Sequence, residues 1–344
     1  MTNNLVRDEF LKKAGIDPSK LQQIKGDLSS RKFYRIANEE RPQILMESNP
    51  HESSFHSFLV LTEFLAKHDF SVPEIYLSDS ENGFILMEDF GIRRIGDMLS
   101  SNQVLPDEVD EEKIYKRSID VLVRLQGIES PSNLVELDED KYVSDSMKFI
   151  TYYVDILNGT PMPESLRQEF DEIMRYLLAK AKIFKSVTML RDYHVENLFW
   201  LFERNGIQKV GLIDYQDAAL GSPVYDVVSI LQDARRNISA ELESKMISHY
   251  LKSFPAVERK DFLMAYCIFG VQRNLKIIGQ FSYYAEKNKL TYLLQLLPRV
   301  IGYMKNDLNH PILLPLKKWL EKALPQKGVV SALTYGSGNT KIIV

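Results

Sequence analysis

Apolar residues recur along this chain with two different periods, and the change of period divides it. Between residues 26 and 90 the apolar positions come in short strand-like runs. Phe33-Tyr-Arg-Ile36 and Gln43-Ile-Leu-Met-Glu-Ser48 are two of them. Pro73-Glu-Ile-Tyr-Leu77 and Gly83-Phe-Ile-Leu-Met-Glu88 are two more, divided by the turn signal Asp79-Ser-Glu-Asn-Gly83. Between the pairs lies one helical pattern, Ser53–Lys67, with a serine at its start. Residues 1–25 read as an amphipathic helical lead-in, broken at Asp17-Pro18 and followed by a short helix to Lys25. From residue 94 onward the helical period takes over, over 111–128, 138–157, 165–184, 240–255, 259–282, 289–306 and 313–324. Asp226 stands where it would cap or brace a helix through Arg236. The expectation is an α+β chain: residues 1–90 a small antiparallel sheet with one long helix, 91–325 a mostly helical lobe, and 326–344 a loose tail rich in Gly, Ser and Thr.

One stretch interrupts the helical half. Leu198-Phe-Trp-Leu-Phe202 and Val210-Gly-Leu-Ile213 are apolar and strand-like, with Glu203-Arg-Asn-Gly206 as a turn between them. A hairpin there brings Asn197 and Asp214, which flank it, to the same end and near Asp192. Asp192 precedes Asn197 by five positions and Asp214 by 22. Protein kinases carry a catalytic loop of the form His-Arg-Asp-x-x-x-x-Asn with a metal-binding Asp downstream. Arg191-Asp192-x-x-x-x-Asn197 keeps that spacing, with Leu190 in the His position. The residue types suit phosphoryl transfer. An attacking hydroxyl must be held in line and its proton accepted, which a loop carboxylate such as Asp192 does. A triphosphate needs a hard divalent cation, to which Asn197 offers a carbonyl oxygen and Asp214 a carboxylate. The plainer alternative is ordinary loop polarity, since Asp and Asn are common in turns.

Composition narrows the classes of function. The 344 residues, 44% hydrophobic and 26% charged, have an ordinary soluble globular make-up with room for two lobes. A net charge of −4 speaks against a nucleic-acid partner, which calls for a basic excess. Cys267 is the single cysteine, so no intramolecular disulfide forms, and in its apolar segment it reads as a small buried hydrophobe. No run approaches the roughly 20 apolar residues of a membrane span, and the first ten residues lack an apolar signal core. The expected location is the cytoplasm. No His/Cys cluster has metal-ligand spacing, and no Gly-x-Ser-x-Gly elbow points to a hydrolase.

These residues resemble the aminoglycoside phosphotransferase superfamily, which has a protein-kinase-like, two-lobed fold. Within it they are most similar to the bacterial anomeric kinases of N-acetylmuramic acid and N-acetylglucosamine. The resemblance spans about residues 20–325. It rests on Gly26-Asp-Leu-Ser-Ser-Arg-Lys-Phe-Tyr-Arg35, Leu190-Arg-Asp-Tyr-His-Val-Glu-Asn-Leu198, and Gly211-Leu-Ile-Asp-Tyr-Gln-Asp-Ala218 with Gly221-Ser-Pro-Val-Tyr-Asp226. Leu231-Gln-Asp-Ala-Arg-Arg236 and Gly270-Val-Gln-Arg-Asn-Leu-Lys-Ile-Ile-Gly279 favour the sugar-kinase branch, with a weaker match at Leu297-Pro-Arg299 and Asp307-Leu-Asn-His-Pro311. The resemblance implies ATP and Mg2+ as cofactors, with Asp192 as base or orienting group and Asn197 and Asp214 on the metal. It implies a phosphate-covering loop that includes Ser29, Ser30, Arg31 and Arg35, and an adenine hinge over residues 87–90 that includes Met87, Glu88 and Phe90. Asp145, Arg235, Gln272, Arg273 and Lys276 are the candidates for the sugar. The product would pass to a sugar-1-phosphate nucleotidyltransferase.

One kinase part is missing by type. The strand position from which a lysine reaches the nucleotide phosphates is Met46. The candidates for that cation are Arg31 and Arg35, each of which also reads as a charge on a solvated strand face. Arg235 reads equally as an ion pair with Asp233 or Asp226, and Lys276 as a surface charge. His194 reads as a structural group hydrogen-bonded within the catalytic loop. Asp217 is placed to touch substrate or, more simply, to brace the turn. The aromatics of 149–153 read as core. Two other functions stay open on sequence: the same chemistry on choline, an aminoglycoside or another hydroxyl, and a nucleotide-binding pseudokinase, which Met46 motivates and the intact Asp192, Asn197 and Asp214 oppose.

Overall fold

The computed structural model describes residues 3–24, 31–36, 42–100 and 109–324. Along the chain these form α1 (Asn3–Lys13), β1 (Leu21–Ile24), β2 (Lys32–Ile36), β3 (Gln43–Glu47), α2 (Ser53–Lys67), β4 (Ile75–Asp79), β5 (Phe84–Glu88), α3 (Ile95–Ser100) and α4 (Glu111–Gln126). There follow α5 (Glu139–Phe149), a π-helical turn (Ile150–Val154), α6 (Asp155–Asn158), α7 (Glu164–Ala181), β6 (Val187–Met189), β7 (Leu198–Trp200), β8 (Val210–Leu212), β9 (Ala219–Gly221) and α8 (Val224–Leu231). The last elements are α9 (Ala240–Lys252), α10 (Arg259–Lys287), α11 (Leu297–Asp307) and α12 (Leu314–Ala323). They fall into two compact units, Met1–Val121 with Leu190–Ala218 and Leu122–Met189 with Ala219–Val344. The central stretch read from sequence thus groups with the sheet.

The first unit holds a five-stranded antiparallel sheet in the order β1-β2-β3-β5-β4. The central strands β3 and β5 are buried along almost their whole length, as continuous apolar runs require. α1 lays Phe10 and Leu11 on a cluster of Ile36, Leu45, Phe84 and Leu86. α2 buries the stripe Phe55, Phe58, Leu61 and Leu65, the spacing of one helix face. The expected hairpin is present, with β7 and β8 antiparallel and Leu198 opposite Leu212. In place of the expected short helix to Lys25, a single 3-10 turn at Pro18–Lys20 leads into β1. Leu21–Ile24 is too short and too polar to announce a strand, and its structure comes from pairing with β2.

The second unit is helical around α10. This helix is buried over most of its 29 residues, polar ones such as Gln272 and Asn274 included, so it forms the core of its unit. It approaches α5 so closely that a Cβ on Gly279 would stand 2.4 Å from the Lys148 carbonyl carbon. β6 and β9 form a two-stranded antiparallel ribbon in the same unit. Tyr153 is buried and stacks on Phe149, as expected of a core residue, whereas Tyr152 is half-buried and meets Tyr283. Several helices differ from the periodicity, α10 among them, which runs on to Lys287 past the expected 282. The 138–157 pattern is divided by the π-helical turn. The pattern at 289 starts as a 3-10 turn, and α11 begins at Leu297 with proline at its first positions. α8 ends at Leu231 instead of running through Arg236, because the Asp233 side chain accepts the Arg235 N–H (2.8 Å) and turns the backbone. The tail at 326–344 lies outside the described residues.

Candidate active site

The loop after β6 is wound by its own amides. Asp192 N–H donates to Leu190 O (2.8 Å), His194 N–H to Asp192 O (3.2 Å) and Asn197 N–H to His194 O (2.9 Å). Arg191 takes φ +69°, a left-handed conformation uncommon outside glycine, which lets the chain reverse there. Tyr193 and Val195 are buried and act as anchors, the Tyr193 hydroxyl donating to Ser118 O (2.8 Å). Asp192 itself remains half-buried. Asn197 Nδ2 donates to Asp192 O (3.0 Å) and lies 3.4 Å from Asp214 Oδ2. Its side-chain oxygen is therefore the atom it has to offer a cation. His194 is buried with Nε2 3.4 Å from Asn197 Nδ2, a position inside the loop.

Asp214 arrives from the other side of the hairpin. Ile213 N–H donates to Asn197 O (3.1 Å), which zips the hairpin up to its flanking residues. Asp214 has φ +61°, the second left-handed residue of the site. Its Oδ1 accepts from Gln216 Nε2 (3.0 Å) and from Arg31 Nη2 (2.8 Å). The segment is fastened to α2 through Tyr215, which stacks on Phe58 with centroids 5.3 Å apart and shares a 2.6 Å hydrogen bond with Thr62. Asp217 is exposed; its carboxylate accepts from Gln216 and its backbone oxygen from Arg191, which is the bracing role. Three of the sequence candidates, Asp192, Asn197 and Asp214, are thus brought together on one small frame. Among the described residues no group of three or more His, Cys, Asp or Glu side chains is gathered for a metal. Asp214 and Asn197 supply two hard oxygens, which suits Mg2+ that takes its remaining ligands from phosphate and water.

Met46 is fully buried, held between Phe33 of β2 and Ile85 of β5. Arg35 grips the exit of β5, with Nε 2.5 Å from Asp89 Oδ2 and Nη2 3.1 Å from Gly91 O. At that exit Glu88 N–H donates to Glu74 O (2.9 Å) and Asp89 N–H to Pro42 O (3.0 Å). Met87 is buried in the sheet. The Glu88 carboxylate pairs with Arg204 (2.5 Å), and the Phe90 ring packs on Phe199. Ser29 and Ser30 lie outside the described residues.

The sugar candidates all lie in the second unit and on its inner surfaces. Gln272 is fully buried and donates to Tyr142 O (2.9 Å); Arg273 is buried and donates to Gln232 O (3.3 Å). Asp145 is 4% exposed, and its Oδ1 accepts from Lys148 (2.6 Å) and Lys141 (3.1 Å). Burial pushes its carboxyl up, but the Lys148 bond, the charges of Lys276 and Lys148 and the Lys141 bond outweigh that and hold it below the usual range. Lys276 is 9% exposed, so it is a buried charge beside Asp145 and not a surface one. Arg235 is half-buried in the turn that Asp233 shapes. A separate apolar cavity of about 370 Å³ in this unit, lined by residues such as Phe149, Tyr153, Ile278 and Met304, involves none of these candidates.

The model of the phosphotransferase enzyme family matches residues 20–263, which include the loop, the hairpin and the sheet. The chain belongs to this family. Relatives include the N-acetylmuramate/N-acetylglucosamine kinase of Caulobacter vibrioides, 25% identical with 92% of this chain and 95% of the relative covered. The enzyme of the same name from Pseudomonas aeruginosa is 28% identical, with 90% of each chain covered. Among solved structures, an ADP-bound aminoglycoside phosphotransferase, APH(2'')-Ib, matches with TM-score 0.59 at 15% identity, covering 88% of this chain and 98% of its own. The choline kinase LicA of Streptococcus pneumoniae matches with TM-score 0.62 at 13% identity, covering 88% and 99%. The kinase-like fold expected from the sequence is the fold present.

Seen within this phosphotransferase family, the site contains residues that the sequence reading did not single out. Gln216 and Tyr215 hold Asp214 in place, and Asp89 receives Arg35. The signal for the first two was the uninterrupted Ile-Asp-Tyr-Gln-Asp string, in which a buried aromatic follows the carboxylate. Asp89 gave none, since its partner is 54 residues away.

Proposed function

We propose that this chain is an ATP-dependent, Mg2+-requiring kinase that phosphorylates the anomeric C1 hydroxyl of N-acetylmuramic acid and N-acetylglucosamine. The observation that carries the chemistry is the frame of Asp192, Asn197 and Asp214, with Asn197 Nδ2 3.0 Å from Asp192 O and 3.4 Å from Asp214 Oδ2. The relatives named for these two sugars, matched over about nine-tenths of the chain, supply the substrate class. Asp214 and the Asn197 side-chain oxygen would hold the magnesium, whose chemistry is to neutralise charge on the transferred phosphoryl group. Asp192 orients the sugar hydroxyl and accepts its proton. An anomeric hydroxyl is more acidic than an ordinary alcohol, so orientation and charge neutralisation outweigh base strength. The backbone at 87–90 is the proposed adenine hinge, braced by the Arg35–Asp89 pair. The carboxylate that distinguishes N-acetylmuramic acid from N-acetylglucosamine calls for an Arg or Lys, for which Arg235, Arg273 and Lys276 are the candidates. Among the described residues no helix is long and apolar enough to cross a membrane. The reading places the enzyme in the cytoplasm, upstream of a sugar-1-phosphate nucleotidyltransferase.

The test is phosphorus NMR of products formed from Mg-ATP with N-acetylmuramic acid, N-acetylglucosamine, choline and kanamycin in parallel. The expected result is an anomeric phosphate signal coupled to the sugar H1, with both amino sugars as acceptors. ADP formation only with choline or kanamycin would move the substrate class. Binding of Mg-ATP without turnover of any acceptor would support a pseudokinase.

A further inference from the structure

The buried Met46 leaves the strand without the cation that kinases of this fold present to the nucleotide. The two arginines nearby in sequence have different employment. Arg35 is engaged at the exit of β5 by both carboxylate oxygens of Asp89 and by Gly91 O. Arg31 instead reaches across the unit to the hairpin. Its Nη2 lies 2.8 Å from Asp214 Oδ1, its side chain is 11% exposed, and its guanidinium sits 5.9 Å from the centre of the Phe33 ring. It therefore touches the very carboxylate that the site offers to a metal.

We propose that Arg31 replaces the missing strand lysine as the phosphate-binding cation, and that it rests on Asp214 until a metal–nucleotide arrives. The inference depends on the reading of Asp214 as the metal carboxylate. A divalent cation drawn to the Asp214 carboxylate places a second positive charge close to the guanidinium, and the repulsion favours moving Arg31 off Oδ1. The acceptors that come with the metal are phosphate oxygens, to which the planar fork of arginine is well matched. Arg31 thus passes from one anion to another.

Isothermal titration calorimetry of Mg-ATP and of adenosine tests the first half, on wild type, Arg31→Ala, Arg31→Lys, Arg35→Ala and Asp214→Ala. Arg31→Ala should weaken Mg-ATP by roughly ten- to a hundredfold, the worth of a charged hydrogen bond, while adenosine binds as in wild type. Arg31→Lys should recover part of the loss. Arg35→Ala should weaken both ligands alike, since it loosens the hinge. Loss of both ligands in Arg31→Ala, or of neither, overturns the assignment. Binding of Mn2+ alone to the nucleotide-free protein, followed by the free-ion electron paramagnetic resonance signal, tests the second half. It should tighten in Arg31→Ala, and unchanged Mn2+ binding would refute the resting contact. Should wild type bind nucleotide no better with Mg2+ than without, or Asp214→Ala bind Mg-ATP normally, the metal reading of Asp214 falls and the inference with it. If those controls behave and only Arg31→Ala is silent, the inference alone fails.

Discussion

The two units use polar residues in opposite ways. In the first, Asp192, Asn197 and Asp214 stand on loops at the mouth of a two-stranded hairpin, part-exposed, with Asp214 and the neighbouring Arg191 in left-handed backbone. In the second, Gln272, Arg273 and Lys276 stand on one buried helix and meet backbone carbonyls or a buried carboxylate. Loop residues held in an uncommon conformation are paid for by function, whereas polar groups inside a helical core must first satisfy the core. Similarity to a sugar-kinase branch therefore means different things in the two places. Around Asp192 the proposed function reads it as chemistry. Along residues 270–279 part of it reflects how closely α10 must approach its neighbours.

The largest effect expected from this contrast is on turnover. Asp192→Asn keeps the shape of the loop, whose bonds run through backbone atoms of residue 192. It removes the negative charge and, on the proposed function, the proton acceptor. We expect kcat to fall on the order of a thousandfold, with thermal midpoint and Mg-ATP affinity unchanged, because the lost interaction belongs to the transition state. Steady-state kinetics beside calorimetry decides it. A variant that turns over like wild type would end the assignment of this loop as the chemical centre and would erase the contrast drawn above.

A stability effect of intermediate size should come from the second unit. Gly279→Ala places a methyl group 2.4 Å from the Lys148 carbonyl carbon and 2.6 Å from the Phe149 nitrogen, both backbone atoms that cannot swing aside. Separating α10 from α5 should cost about 2–3 kcal/mol, lowering the thermal midpoint by several degrees. The folded fraction should retain the wild-type KM for ATP. A variant as stable as wild type would show that this glycine is not required by packing, and the likeness in 270–279 would then need a functional account.

How much of this was legible in the sequence follows from how far apart the partners lie. The Asn197–Asp214 meeting was readable because one short hairpin imposes it. The sheet strands were readable from their apolar runs, and α10 from its period. The Arg31–Asp214 pair joins residues 183 positions apart, and no local pattern encodes it. The same holds for Arg35 and Asp89. β1 was missed because Leu21–Ile24 owes its conformation to a neighbour, and the end of α8 because a side chain, Asp233, overrides the helical period.

The smallest effect is a matter of pH and probes a buried carboxyl that the proposed chemistry does not use. Asp307 is 5% exposed, with each carboxyl oxygen 3.1 Å from Gln232 Nε2. Burial pushes its pKa well above 3.8, and nearby Glu243 adds to the rise against the opposing bonds from Gln232 and Cys267. The Cys267 residue is half-buried rather than buried as expected, and its thiol is pushed up as well, first by desolvation and then by the charge of Asp307. A carboxyl with a raised folded pKa keeps its proton in the folded chain after the unfolded chain has released it. Its contribution to stability is therefore complete below pH 3.8 and is eroded as pH rises toward the folded value. Asp307→Asn removes that erosion by keeping the group neutral. Its thermal midpoint should match wild type near pH 4 and exceed it increasingly toward pH 8, by on the order of 1 kcal/mol. Turnover of N-acetylglucosamine should not move. A variant that raised the KM for sugar while leaving stability flat across pH would place Asp307 among ligand-reading groups, and the helical unit would then be doing chemistry where packing had been expected.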